Sequence, residues 1–323
     1  MQKIIEIEIM NKIRFGKTDL EVSRIGLGTL AFGHKTKGIQ DKDEIYGCIN
    51  FALDNGINLI DTAEEYSGGL TEKFIGEVIK KRGDREDLVL VTKVSHDHLG
   101  YKEVIKAANK SLERLQTDHI DIYLVHWPWC YSPISETMKA MDQLLIEGKI
   151  RYVGVSNYHN ALVLEAMSNL KNGEIIADEL EYNLVNRSIE KEIIPFLRQK
   201  GIVVLAYSPL LSGFLTTKYD ENTMLTKDDF RNYWELFKHK ENFTRSKVLF
   251  ETMRQIAEKH DASAAEVAIN WLLKEKDIIP IPGAKKESQI KSNINATRWC
   301  LEKDEISRLT AITDSLELNW DRF

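Results

Sequence analysis

The feature that most restricts the fold is a short, β-branched apolar run that recurs eight times, each time separated from the next by a longer stretch. The runs are 24–28 (RIGLG), 57–61 (INLID), 88–93 (LVLVTK), 120–126 (IDIYLVH), 150–156 (IRYVGVS), 176–182 (IADELEY), 202–207 (IVVLAY) and 277–281 (DIIPI). Helical spacing or caps mark 43–55, 71–82, 101–116, 135–147, 160–170, 189–199, 247–260 and 263–275, with Thr71 and Ser135 read as helix starts. Strands this uniformly apolar need both faces covered, and parallel strands with helices packed outside them meet that need. Eight is the number that closes a (β/α)8 TIM barrel, so we expect an α/β barrel filling residues 1–323 as a single domain. A doubly wound sheet uses the same units, and strand count alone does not separate the two.

Two segments break the rhythm. Residues 13–23 (IRFGKTDLEVS) place a turn signal between short extended pieces and predict an N-terminal hairpin ahead of the first barrel strand. Residues 211–246 mix aromatics and charges without a clean period. A long loop after the seventh strand predicts a lid over cofactor or substrate, because structureless loops beyond about 12–15 residues are usually functional. No internal repeat or low-complexity tract is evident.

Composition narrows the partners. Lys and Arg number 44 against 50 Asp and Glu, a formal net charge of −6, which argues against a nucleic-acid or acidic-membrane partner. Cys48, Cys130 and Cys300 are odd in number and scattered, so neither a disulfide framework nor a metal knuckle is indicated. The opening MQKIIEIEIMNKIRF lacks the apolar run of a signal peptide, and no stretch has the roughly 18 apolar residues of a membrane span. The expectation is a soluble, cytoplasmic protein.

In a barrel, reactive side chains gather at the carboxyl ends of the strands. Asp61, Lys93 and His126 end the second, third and fourth runs, and Tyr66 follows the second by five residues. A phenol with a pKa of about 10 is a poor acid near neutrality, and a nearby ammonium stabilises its phenolate. Asp61 can hold Lys93 in place, and His126 can donate a hydrogen bond to a substrate oxygen. A single Asp or Lys at a strand end is more often a cap or an ion pair, and a lone buried His more often a satisfied core residue. Their appearance together at successive strand ends is the signal.

With NLIDTAEEY, VTK and LVHWP in view, the chain resembles the aldo/keto reductases. The match continues through GKIRYVGVSN (148–157), LEYNL (180–184), AYSPLLSGFL (206–215) and PIPGAKKESQIKSN (280–293). The resemblance implies a (β/α)8 barrel that binds a nicotinamide cofactor without a Rossmann domain, and a catalytic tetrad at Asp61, Tyr66, Lys93 and His126. It places Ser156 and Asn157 at the nicotinamide carboxamide, Tyr207 against the ring, and Ser208, Leu210, Ser212, Gly213 and Leu215 along the pyrophosphate. Gly283, Ala284, Lys285, Lys286, Gln289 and Asn293 fall around the adenosine and its 2′-phosphate. A glycine-containing loop entering a helix does present free N–H groups to an anion. Three positions depart from the family pattern. Glu179 stands where Gln usually meets the carboxamide, Gln289 where Arg is common near the 2′-phosphate, and Ser292 where Glu is common near adenine.

Other features lean structural. Glu64 and Glu65 read as loop charges beside the site. His96, Asp97 and His98 invite a zinc reading, but no further ligand cluster accompanies them and the reductase reading needs no metal. His96 can line the pocket rim, and Trp127, Trp129 and Tyr131 an aromatic wall for the substrate. The expected function is NAD(P)H-dependent reduction of an aldehyde or ketone with Tyr66 as general acid. NADP(H) is favoured by the lysine pair, with NAD(H) left open. The alternative is a regulatory subunit that senses the redox state of the cofactor. Small aldehydes, sugars, ketoacids and pyridoxal-like compounds all fit as substrates, and the sequence leaves the oligomeric state open.

Overall fold

The computed structural model describes residues 11–35, 38–128 and 131–319. The described residues open with an antiparallel hairpin of β1 (Lys12–Arg14) and β2 (Glu21–Ser23), which starts one residue before the 13–23 expected for it and ends with it. Eight parallel strands follow in chain order: β3 (Leu27–Gly28), β4 (Leu59–Asp61), β5 (Val89–Val94), β6 (Ile120–Val125), β7 (Ile150–Ser156), β8 (Ile175–Glu181), β9 (Val203–Tyr207) and β10 (Ile278–Pro280). Each hydrogen-bonds to its sequence neighbour. The two edges meet where Gly26 N donates to Pro280 O at 2.9 Å and Gly28 N to Pro282 O at 3.2 Å. A side chain on Gly28 would press its Cβ to 2.7 Å from Ile281 O, so this seam requires glycine. The sheet is thus a (β/α)8 barrel, as the eight apolar runs predict, and the doubly wound alternative is excluded.

The apolar alternation has two destinations. Leu59, Val91, Ile122, Leu124, Leu205 and Ile279 point into the barrel, where Phe15, Leu20 and Val22 of the hairpin region join them. The other residues face the outer helices: α1 (Lys42–Asp54), α2 (Leu70–Arg82), α3 (Tyr101–Leu115), α4 (Ile134–Ile146), α5 (Asn160–Asn169) and α6 (Ile193–Lys200). In α3 the buried Val104, Ala107, Ala108, Ser111, Leu112 and Leu115 recur at the three- and four-residue spacing of one helix face. Helix starts differ slightly from expectation. Gly69, at φ 86°, precedes α2, and Thr71 donates to Phe32 O at 2.8 Å instead of capping. Pro133 precedes α4, whose first residue Ile134 comes one ahead of Ser135.

Residues 211–246 form short helical pieces, including α7 (Glu235–Lys238) and α8 (Glu241–Arg245). Their aromatics lack a period because they converge from separate pieces. Phe237 and Phe243 pack on buried Phe214, which also meets Phe250 of α9 (Lys247–Lys259) at 5.2 Å between centroids. Three further helices complete the chain: α10 (Ala264–Leu273), α11 (Glu287–Asn295) and α12 (Lys303–Asp314). Among the described residues no helix is long and apolar enough to cross a membrane. Residues 1–10, Trp129 and Cys130 lie outside the described residues.

Candidate active site

Strand order brings the predicted residues together. Asp61 ends β4, Lys93 is the penultimate residue of β5, and His126 follows directly on β6, so three adjacent strands aim them at one mouth of the barrel. Tyr66 opens a tight turn of Tyr66–Gly69 that returns the chain over the same mouth. Lys93 is fully buried; its Nζ donates to Asp61 Oδ1 at 2.5 Å and to Thr62 O at 2.9 Å, with Tyr66 Oη at 3.4 Å. The Tyr66 and His126 rings meet edge to face, 5.9 Å between centroids. Behind β5, Thr92 donates to buried Glu72 of α2, which Arg114 of α3 holds at 2.6 Å.

Electrostatics sets the resting protonation. Burial works against the Lys93 ammonium, but its acidic neighbours, Asp61 first and then Glu179, outweigh it and the net shift is upward. Burial drives the Tyr66 phenol above its ordinary range; Lys93 opposes this, while Asp61 and Glu179 reinforce it. The expected help from Lys93 therefore has the right sign and is outweighed by burial. The phenol rests protonated, the state a proton donor needs.

Two carboxylates join the site that spacing alone did not place there. Glu65, expected to be a loop charge, brings Oε2 to 2.9 Å from His126 Nδ1, and Ser95 Oγ donates to its Oε1 at 2.5 Å. The His126 contact pulls the Glu65 carboxyl down to about 2 against the opposing effect of burial. Burial lowers the His126 imidazole despite Glu65, with Lys93 adding to the fall. The only sequence signal for this role is the position of Glu65 next to Tyr66. Glu179 is the second: its Oε2 lies 3.2 Å from Lys93 Nζ. Glu64, by contrast, accepts from Ser95 N at 2.7 Å and meets His98 Nδ1 at 2.9 Å, so it braces the loop. His96 Nδ1 stands 3.4 Å from Glu65 Oε1 and His96 Nε2 3.4 Å from Asp97 Oδ1, while His98 turns to Glu64, so His98 does not join the other two residues of the zinc reading. Trp127 stacks on His126 at 6.4 Å, whereas Tyr131 is wholly exposed.

Of the predicted cofactor residues, Ser156 ends β7 and Tyr207 ends β9, at the same end of the barrel. Ser156 Oγ and Asn157 N both donate to Glu179 O, at 2.9 and 3.0 Å, and Asn157 Nδ2 donates to Ser156 Oγ. Tyr207 Oη donates to Asn157 Oδ1 at 3.0 Å, which ties its ring to that pair. Beyond β9 the backbone takes positive φ at Ser208, Leu211, Ser212, Gly213 and Thr217. That conformation costs about 1–3 kcal/mol at each non-glycine residue and marks functional loops. Leu215 and Ala284 are buried and Leu210 packs on the core.

Gly283 to Lys286 lead into α11, whose first turn has no side-chain cap and so offers free N–H groups. Gln289 Oε1 accepts from Lys285 N at 2.7 Å, and Asn293 is buried. Burial first, then the neighbouring Arg231 charge, lowers the Lys285 ammonium. Two close cations beside an uncapped helix start suit a phosphate, so the residues present fit a dinucleotide. Arg231 escaped the sequence reading because it sits in the irregular 211–246 segment. It donates to Ser212 O at 3.3 Å and pairs with Asp229.

Comparison with known proteins agrees with this fold. Residues 24–314 match the model of the aldo/keto reductase family. The chain is 33% identical to the aldo-keto reductase YhdN of Bacillus subtilis, over 92% of each chain. It is 31% identical to an NADH-specific methylglyoxal reductase of Escherichia coli, over 95% of this chain and 100% of that one. An aldo-keto reductase from Klebsiella pneumoniae, solved in complex with NADPH, superposes with a TM-score of 0.76 at 28% identity, covering 98% of this chain and 100% of that one.

Proposed function

The chain belongs to the aldo/keto reductase family, and from that premise we propose that it is an NAD(P)H-dependent oxidoreductase reducing an aldehyde or ketone to the alcohol. The observation that carries the reading is the buried Asp61–Lys93 pair, at 2.5 Å, with Tyr66 Oη 3.4 Å from the same ammonium. Bound reduced nicotinamide supplies the hydride. Tyr66 gives its proton to the oxygen that becomes the alkoxide, and Lys93 keeps the departing phenolate from standing as an uncompensated buried charge. Asp61 fixes Lys93, and His126 orients the carbonyl at the rim. Ser156, Asn157 and Tyr207 hold the nicotinamide end, and the 208–215 and 283–293 segments hold the phosphates and adenosine. One barrel unit carries all of these groups.

NADP(H) is the favoured cofactor, because Lys285 and Lys286 match the family segment around the 2′-phosphate. A panel of aldehydes, ketones, sugars and ketoacids, followed by loss of reduced-cofactor absorbance, tests the activity. Turnover of at least one carbonyl supports it, while cofactor binding without turnover across the panel favours a cofactor-sensing subunit. NADPH should bind more tightly than NADH, and replacing Lys285 and Lys286 together by Ala should weaken NADPH selectively. Equal affinity of the parent for both cofactors contradicts the preference.

A further inference from the structure

The Lys93 ammonium has three N–H donors. Four acceptors lie within reach: Asp61 Oδ1 at 2.5 Å, Thr62 O at 2.9 Å, Glu179 Oε2 at 3.2 Å and Tyr66 Oη at 3.4 Å. Asp61, Thr62 and Tyr66 take the three hydrogens, and Glu179 Oε2 makes an ion-pair contact without a hydrogen bond of its own. Charge is equally unbalanced. Asp61, Glu179 and Lys93 are buried together, so full ionisation leaves two carboxylates against one ammonium in a spot closed to water. Such an excess is costly and is relieved by taking up a proton. Asp61, closer to Nζ, keeps the charge, and the proton falls to Glu179.

We infer that Glu179 is a positioning residue that holds a proton in the resting site and releases it when the oxidised cofactor binds. The inference rests on the reductase reading, which puts the nicotinamide beside Ser156, Asn157 and Tyr207, the first two of which bond to the backbone carbonyl of Glu179. The groups facing the Glu179 carboxyl are Lys93 on β5, Asp61 on β4, Tyr66 on the turn after β4 and Tyr207 on β9. Burial first and the Asp61 charge second raise this carboxyl well above the ordinary range, with Lys93 opposing them.

As a neutral acid, Glu179 has one O–H donor and one carbonyl acceptor, the same pair of functions an amide offers at this position. It then leaves the third hydrogen of Lys93 to Tyr66. As a carboxylate it takes that hydrogen and adds negative charge beside the phenol, which weakens Tyr66 as an acid. The oxidised nicotinamide ring is positively charged and the reduced ring is neutral. Glu179 therefore ionises beside the oxidised ring, passing its proton to bulk buffer, and stays protonated beside the reduced one.

Calorimetric titration of NADP⁺ and NADPH, in buffers of different ionisation enthalpy, counts the protons exchanged with each form. The parent should release up to one proton with NADP⁺ and fewer with NADPH. Its affinity for NADP⁺ relative to NADPH should rise with pH, by up to about tenfold per unit where that release is complete. Glu179→Gln should abolish the difference in proton count, flatten the affinity ratio against pH and weaken NADP⁺ relative to NADPH. It should also hold its reduction rate to higher pH than the parent, because Tyr66 keeps its hydrogen bond from Lys93. Equal proton counts in the parent, or a difference that survives in Glu179→Gln, overturn the inference alone. Failure of the parent to bind NADP(H) or NAD(H) overturns the reductase reading as well.

Discussion

The barrel buries carboxylates at both ends, and the two ends treat them oppositely. At the amino end, Asp121 on β6 is fully buried and over-supplied with donors. Its Oδ2 accepts from Arg85 Nη2 at 2.8 Å and Leu90 N at 2.9 Å, and its Oδ1 from Arg151 Nη1 at 2.9 Å. Arg151 continues to Asp19, which accepts from Tyr152 Oη at 2.7 Å, so the network also ties the hairpin's turn to the barrel floor. At the carboxyl end, Asp61 and Glu179 share the single Lys93 ammonium. One carboxylate with two guanidiniums is locked; two carboxylates with one ammonium have a proton to move. A surplus of donors suits a structural joint and a surplus of acceptors suits chemistry, in line with the division of barrel faces between stability and reaction.

The largest test of this contrast is Tyr66→Phe. Proton donation by a positioned side chain is worth about 10²–10⁴ in rate, roughly 3–5 kcal/mol of barrier. The variant should lose that much kcat while binding cofactor within a few-fold of the parent, because the phenol oxygen is assigned to the reaction and not to the nucleotide. Steady-state rates under conditions where chemistry limits turnover give the answer. Retention of more than half of kcat would remove Tyr66 from the role.

Asp121→Asn probes the other end. An amide keeps the shape but loses the charge and turns an NH₂ toward donors, and hydrogen bonds to charged groups contribute about 1.5–3 kcal/mol. Urea unfolding should show a loss of about 2–3 kcal/mol, with kcat per folded molecule unchanged. If kcat fell tenfold while stability held, the division between the two ends would be wrong.

What the sequence disclosed follows the same division. The apolar runs locate all eight barrel strands because strands buried on both faces must be apolar, and β7 runs from Ile150 to Ser156 as expected. Asp61, Lys93 and His126 were legible as polar residues interrupting those runs at their ends. Helix α12 was missed although Ile306, Leu309 and Thr313 share helical spacing, because its capping box uses Glu302 with Glu305 where Ser or Thr is the usual signal. Helix α11 was missed because it buries only Ile290, Asn293 and Ile294, too narrow a stripe to register as periodic. Residues whose roles depend on a partner far along the chain were not legible. Glu65 gains its role from His126 and Arg231 gains its from Ser212 and Lys285. Those distances arise from barrel closure and from packing of the loop aromatics, not from local spacing.

The smallest expected effect sharpens the chemistry of the carboxyl end. Glu65 is ionised throughout the working range, since its carboxyl is held at about 2, and it faces His126 Nδ1 at 2.9 Å. A neutral imidazole with its proton on Nδ1 offers only a lone pair at Nε2. Because burial keeps the His126 imidazole below its usual value, that neutral form prevails near pH 7. Donation from Nε2 to a carbonyl oxygen then requires the imidazolium, so this contribution to reduction grows as pH falls through the His126 pKa and fades as pH rises. Glu65 supports the imidazolium by its charge. Glu65→Gln keeps an oxygen near Nδ1 but removes that charge, so the transition should move to lower pH, leaving reduction near pH 7 a few-fold slower. Glu65→Ala, with no acceptor, frees the proton to sit on Nε2 and should flatten the dependence. Profiles of kcat against pH for the three proteins decide it. Superimposable curves would show that Nε2 donates without a second proton, and would reduce Glu65 to a brace for Ser95 and His96.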